Sequence, residues 1–246
     1  MSIQSELELE QLRMVGRIVR LALNAMSEAA EPGVTTSQLD AVCAKVLAEH
    51  GATSAPKKVY GFPGTACISV NDEVVHGVPG DRVLQLGDLV KLDVTAEKDG
   101  FFADAAVTVR LGEVSATADS LARCAESAFH QAMRVARAGY RIYEIGRAVE
   151  REVRHNGFSV LREYCGHGVG RTIHEYPTVP NYLDFNNRVR LTDGLVVAIE
   201  PIIAAGGNRT TVDRDRWTVR TVDHSLAAHY EHTVVITRGE PVLVTA

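Results

Sequence analysis

Residues 87–107, GDLVKLDVTAEKDGFFADAAV, decide the fold because they encode a β-hairpin that carries two aspartates. Apolar and polar residues alternate around the turn signal Lys98-Asp-Gly100, as is typical of paired strands. A turn centred between residues 98 and 99 would place Asp93 directly opposite Asp104. A turn formed by Asp99 and Gly100 alone would instead make the two aspartates diagonal neighbours on one face. Because like charges this close are destabilising, we expect a positive group between them.

The two strand segments of the hairpin recur further along the chain, which indicates an internal repeat. A shift of 107 positions aligns Gly87–Asp93 with Gly194–Glu200, and a shift of 127 aligns Asp104–Val107 with Glu231–Val234. The insertion that separates the two shifts lies within residues 201–228. Segments that repeat in a common order predict two similar halves related by a pseudo-twofold axis.

Helical periodicity precedes the hairpin in both halves, so each half is predicted to read helix–helix–strands. Helices are expected at Ser5–Glu31, Thr36–Gly51, Thr117–Ala138 and Ile142–Gly157, and strands at Ala66–Val70, Leu89–Thr95, Phe101–Arg110, Leu195–Ile199 and His232–Thr237. No linker rich in Pro, Gly or Ser divides the chain. We therefore expect one α/β (α+β) domain over residues 1–246, with halves of approximately 1–113 and 114–246.

Composition limits the function. The 246 residues carry 31 acidic and 26 basic side chains, a net charge of −5, which argues against a nucleic-acid partner held mainly by counterion release. No apolar run reaches the ~18 residues of a transmembrane helix, and the polar, acidic start does not resemble an export signal. The four cysteines have no C-x-x-C spacing, which favours reduced thiols. The sequence therefore predicts a cytoplasmic enzyme with no membrane or specific nucleic-acid partner.

The repeat brings four carboxylates and one imidazole towards a common axis. They are Asp93, Asp104, His167, Glu200 and Glu231. A single acidic residue at a strand end is usually solvated or salt-bridged, but a symmetric set suits a two-metal hydrolytic site with bridging carboxylates and a shared water. Oxygen and imidazole donors favour Mn, Fe(II), Co or Zn. We therefore expect two divalent metal ions as cofactors.

Six segments in this order closely resemble the type I methionine aminopeptidase family, and the resemblance extends from about Leu9 to Val244. The segments are His-Gly-Val-Pro (76–79), Lys-Leu-Asp-Val (91–94), Asp104, Glu-Tyr-Cys-Gly-His-Gly-Val-Gly-Arg (163–171), Ala-Ile-Glu-Pro (198–201) and Tyr-Glu-His-Thr (230–233). Type I is indicated because the second half has no long helical insertion. The family resemblance implies the pita-bread fold, a pseudo-twofold α/β structure in which helices back a curved antiparallel sheet.

The resemblance also implies a role for each site residue. The metal ligands would be Asp93, Asp104, His167, Glu200 and Glu231, with Asp104 and Glu231 bridging the two ions. The catalytic residues would be His76, His174 and Glu200. The substrate-binding residues would be His76, His174, Cys67, Phe62 and Trp217. Glu200 would be the general base for a metal-bridging hydroxide, His174 would stabilise the oxyanion, and His76 would hold the substrate amide.

Two pocket positions depart from the family pattern, and six histidines are assigned no role in the site. Val59 and Ile173 stand where related enzymes often carry aromatic residues, which leaves the shape of the pocket open. The other histidines are expected to be structural: His50, His130, His155, His224, His229 and His232.

The implied activity is removal of the initiator methionine from nascent proteins and peptides with a small second residue, a step of protein maturation. The resemblance implies a monomeric hydrolase that acts on N-terminal Met peptides and nascent chains, and ribosome association would suit that substrate. Two alternatives stay open: an Xaa-Pro dipeptidase or aminopeptidase of the same fold, and a noncatalytic binding protein on this fold. The first would use the same five ligands but usually carries an additional N-terminal domain.

Overall fold

A computed structural model describes residues 1–246. Its helices are α1 (Glu6–Ala29), α2 (Thr36–Glu49), α3 (Ala55–Tyr60), α4 (Ala116–Met133) and α5 (Ile142–His155). The first seven strands are β1 (Thr53–Ser54), β2 (Cys67–Val70), β3 (Leu89–Lys98), β4 (Phe101–Arg110), β5 (Ser159–Val160), β6 (Gly166–Gly168) and β7 (Glu175–Val179). The other seven are β8 (Val196–Ile199), β9 (Ile202–Ala204), β10 (Thr210–Val212), β11 (Val219–Thr221), β12 (Ala227–His229), β13 (Glu231–Val235) and β14 (Val242–Leu243).

One large antiparallel sheet joins strands from both parts of the chain. Its order is β1-β3-β4-β13-β8-β6-β7, with β2 also pairing with β3 and β14 with β13. The central pair is β4 and β13, and the strands outside it, β3 and β8, contain the repeated segments. The sequence repeat is therefore visible as a symmetric strand order about the β4–β13 pair.

The β3–β4 hairpin has the diagonal register. Lys98 pairs with Phe101, so Asp99 and Gly100 alone form the turn, with φ angles of 51° and 78°. Two positive φ angles are what a two-residue hairpin turn needs to match the twist of its strands. The alternative with Asp93 directly opposite Asp104 is therefore wrong. Asp93 pairs with Ala106, and both aspartates lie on one face.

Helices cover the sheet in two groups, and their ends follow capping chemistry. α1 packs against β3, β4 and α2, and α4 packs against α5, β9 and β12. The apolar faces of α1 and α2 share one core with β3 and β4, and those of α4 and α5 share a second core with β8 and β13. Ser5, the first residue of the predicted helix, caps α1 by accepting a hydrogen bond from the Glu8 N–H. α2 is capped by Thr35, one residue before the predicted start at Thr36, because Thr35 and Gln38 satisfy each other's backbone N–H groups in a capping box. None of the five helices has the length and apolar composition needed to cross a bilayer.

Candidate active site

Five potential metal-binding side chains lie on five neighbouring strands. In sheet order they are Asp93 on β3, Asp104 on β4, Glu231 at the start of β13, Glu200 directly after β8 and His167 on β6. All five line one cavity of about 370 Å³. The antiparallel register brings together residues that are far apart in the chain, which is what the repeat predicted.

The distances between these donors suit shared cations. His167 Nε2 lies 3.4 Å from Glu200 Oε1 and 3.9 Å from Asp104 Oδ2. One donor atom each from Asp104, His167 and Glu231 lie within 4.8 Å of one another. Donors that bind one first-row ion at about 2.0–2.2 Å stand roughly 3–4 Å apart. The cluster therefore has the dimensions of a metal site.

The electrostatics of the cluster require positive charge. Burial, followed by the charge of neighbouring carboxylates, raises the pKa of Asp93, Glu200 and Glu231 well above the usual range. Burial also raises the pKa of Asp104. Asp104 Oδ1 and Glu231 Oε1 are buried without a hydrogen-bond partner. Divalent cations would balance the charge and occupy these unpaired oxygens, so the residues present fit the metal ions that the donor set implies.

His76 lines the same cavity from a strained turn. Its φ of 56° is left-handed, a conformation that persists in a non-glycine residue only where the surroundings enforce it. The next residue must be Gly77, because a Cβ there would lie 2.2 Å from the carbonyl oxygen of Ile68. Burial, and then the charge of His174, lowers the pKa of His76. A neutral imidazole is therefore held against the substrate space at neutral pH.

His174 stands beside His167, with ring centroids 4.2 Å apart. Burial and the neighbouring His167 lower the pKa of His174, whereas burial raises the pKa of Tyr60. The Tyr60 hydroxyl lies 2.6 Å from His174 Nδ1. A neutral His174 that carries its proton on Nε2 would accept the Tyr60 O–H at Nδ1 and keep Nε2 free to donate.

Tyr60 also lines the cavity, although the sequence indicates a pocket position only for its neighbours Val59 and Phe62. Val59, one residue earlier, is 46% exposed and does not line the cavity, whereas Ile173 is buried and does. The signal was the position of Tyr60 at the end of α3, directly before a left-handed Gly61 and the predicted pocket residue Phe62. An aromatic side chain therefore lines the cavity from position 60, one residue after Val59.

An apolar slot adjoins the donor cluster. Phe62 and Trp217 meet edge to face with centroids 5.3 Å apart, and Cys67 on β2 pairs in register with Asp93. Asp215 holds the segment of Trp217 by accepting its backbone N–H at 2.8 Å. These three of the five predicted substrate-binding residues thus line the same cavity as the carboxylates. Their apolar surfaces suit a flexible, unbranched thioether side chain.

His229 also lines the cavity, although the sequence does not predict it there. Expected to be structural, it lies in the cavity wall with Nε2 3.3 Å from Glu231 Oε2. Burial lowers the pKa of His229 to about 3, so the ring is neutral and this contact is not an ion pair. The alternation of side chains was the available signal, because His229 and Glu231 are two residues apart in extended backbone. His232, by contrast, hydrogen-bonds Thr245 and Tyr230 inside the core, as expected.

Known proteins match both the chain and the structure. Residues 10–238 match metallopeptidase family M24. The chain is 45% identical to methionine aminopeptidase 2 of Bacillus subtilis, covering 100% of this chain and 99% of the relative. It is 40% identical to methionine aminopeptidase of Clostridium perfringens, with 99% and 98% covered.

Solved structures give the same result. The crystal structure of methionine aminopeptidase from Thermotoga maritima matches with a TM-score of 0.96 and 35% identity, covering 100% of this chain and 99% of the other. A prolidase from Pyrococcus horikoshii matches with a TM-score of 0.80 and 21% identity, and the match covers 63% of that chain. The second match shows a shared fold, the pita-bread fold expected from the sequence.

Proposed function

The chain belongs to metallopeptidase family M24 and is a metal-dependent aminopeptidase that removes N-terminal methionine, and we propose that it acts where the second residue is small. The observation that carries the proposal is the placement of five potential ligands on adjacent strands beside an apolar slot. The carboxylates and imidazole supply the chemistry of hydrolysis. The slot supplies the selection of the first side chain.

The enzyme uses two divalent metal ions. We propose that they are held by Asp93, Asp104, His167, Glu200 and Glu231, and that Asp104 and Glu231 serve both ions. When bound, the ions polarise the scissile carbonyl and make a water nucleophilic at neutral pH. Oxygen donors with one or more imidazoles are compatible with Co, Mn, Fe(II) or Zn.

Three side chains would handle protons and charge during hydrolysis. Glu200, buried in the cavity wall, is suited to take a proton from the attacking water and pass it to the leaving amine. His174 would donate from Nε2 to the developing oxyanion, because Tyr60 occupies its other nitrogen. His76, whose imidazole lines the same cavity, would hold the substrate amide.

Selection of the substrate would follow from the shape of the cavity. Cys67, Phe62 and Trp217 would enclose the methionine side chain. The second residue of the substrate would then pass between the walls that carry His76 and His174. A long side chain there would displace the scissile carbonyl, and a ~1 Å misplacement can cost about 10²-fold in rate.

We propose that residues 1–246 work as one metallo-aminopeptidase domain, because the central sheet continues through both halves without interruption. The four cysteines are unpaired, which supports a reducing, cytoplasmic setting. There the enzyme would act as a monomer on nascent chains, close to the ribosome, in initiator-methionine removal.

Peptide hydrolysis before and after metal removal tests this proposal. Chelator-treated enzyme, resupplied with Co(II), Mn(II) or Fe(II), should release Met from Met-Ala-Ser and leave Met-Leu-Ser intact. Comparable kcat/KM for these two peptides would contradict the small-residue rule. Preferred hydrolysis of Ala-Pro would identify an Xaa-Pro peptidase, and no hydrolysis with any of these metals would favour a binding protein.

A further inference from the structure

We propose that His229 is a sixth metal-binding side chain of this centre, which donates Nε2 to an ion that Glu200 and Glu231 also hold. This assignment presupposes the metal-dependent function proposed above. It concerns the number and kind of ligands, which can be measured independently of peptide hydrolysis.

The backbone aims the His229 ring at the cluster. His229 ends β12 and Glu231 begins β13, so the two side chains project to the same face of extended backbone. Tyr230 between them points to the opposite side, where its ring packs 5.5 Å from that of Phe129. Thr108 fixes the backbone of His229 on both sides: its Oγ1 accepts from the His229 N–H at 3.0 Å and donates to the carbonyl oxygen at 2.8 Å.

The donor distances are those of ligands to one ion. His229 Nε2 lies 3.3 Å from Glu231 Oε2 and 3.9 Å from Glu200 Oε2, and donor atoms from the three residues lie within 4.8 Å of one another. Ligands at about 2.0–2.2 Å from a first-row metal ion stand roughly 3–4 Å apart, which matches these separations. Glu231 belongs to this group and also to the one formed with Asp104 and His167.

The ring has no other occupation. His229 is 2% exposed, and neither Nδ1 nor Nε2 makes a hydrogen bond. Buried polar atoms are almost always satisfied, so an unpaired nitrogen aimed at two carboxylates indicates a missing partner. His232 provides the comparison, because it is equally buried and three residues away, yet both of its ring nitrogens have hydrogen-bond partners.

Counting imidazoles around the metal tests the assignment. X-ray absorption fine structure of the wild-type enzyme with two equivalents of Co(II) should fit two imidazoles for every two cobalt ions, one from His167 and one from His229. His229→Gln should reduce the count to one. His232→Gln, the matched control, should keep two. A single imidazole per two ions in the wild-type enzyme would overturn the proposal without any variant.

Metal affinity gives a second readout. Competition with a chelator should show that His229→Gln weakens the weaker-binding Co(II) site by about 10-fold or more. Removal of a group that only hydrogen-bonds a metal ligand already costs about 10-fold or more in affinity, so loss of a ligand should cost at least as much. Unchanged affinity together with an unchanged imidazole count would overturn the assignment. The proposed function is judged separately, because release of Met by the wild-type enzyme does not depend on how many histidines are counted.

Discussion

Replacement of Tyr60 by Phe removes one hydroxyl from the cavity and leaves its ring in place. The lost contact is the 2.6 Å hydrogen bond to His174 Nδ1. Tyr60 is 47% exposed, so the net value of the bond lies in the ordinary range of about 0.5–1.5 kcal/mol. At about 1.36 kcal/mol per tenfold in rate, kcat should fall by about 2- to 12-fold. KM should change little, because the ring still lines the cavity.

Steady-state hydrolysis of Met-Ala-Ser measures the effect, and a double-mutant cycle assigns it. In a His174→Ala background, Tyr60→Phe should have no further effect on kcat, because the hydroxyl acts only through that imidazole. Tyr176→Phe is the matched control: this tyrosine lies two residues beyond His174, is exposed, and does not line the cavity. An unchanged kcat in Tyr60→Phe, or equal effects of Tyr60→Phe with and without His174, would refute the positioning of His174 by Tyr60.

Three further outcomes follow from the structure. His174→Ala should lower kcat by about 10²- to 10³-fold while metal analysis finds the ions retained; a matching loss of metal would make His174 a ligand instead. Because the pKa of His76 is lowered from 6.5, its neutral form persists in more acidic buffer than that of an ordinary imidazole, and the acid limb of kcat/KM, measured with metal in excess, should have its midpoint below pH 6.5. A midpoint above pH 6.5 would contradict this. Gly100→Ala, at φ 78° with open space around its Cβ, should lower the free energy of unfolding by about 1–2 kcal/mol in denaturant titrations without a change in kcat, and unaltered stability would show that the turn is not constrained.

The internal repeat in the sequence predicts which strands carry the four carboxylates of the site. Two copies of an antiparallel strand pair, β3 with β4 and β8 with β13, place Asp93, Asp104, Glu200 and Glu231 in one sheet, because a repeated unit constrains which strands can become neighbours. The register of the first hairpin stayed open between two turns. The choice between the two turns depends on the backbone angles of Asp99 and Gly100, which composition alone does not determine.

The residues that the sequence did not reveal act through contacts across long stretches of chain. Tyr60 meets His174 over 114 positions, and no local pattern reports such a contact. His229 was expected to be structural, as isolated histidines usually are. Its two-residue spacing from Glu231 was a signal in the sequence, but the burial of both unpaired ring nitrogens beside two carboxylates is visible only in the structure. Similarly, α4 ends at Met133 rather than at the predicted Ala138. The Ala138 N–H donates to the carbonyl oxygen of Thr237, a contact between distant parts of the chain that helical periodicity does not encode.

Anomalous X-ray diffraction at the cobalt edge from crystals of the Co(II)-loaded enzyme tests the central claim most directly. The structure predicts two cobalt peaks roughly 3.5–4 Å apart, enclosed by Asp93, Asp104, His167, Glu200 and Glu231. Peaks located elsewhere, or an enzyme that releases methionine at its full rate with no metal in this cluster, would contradict it.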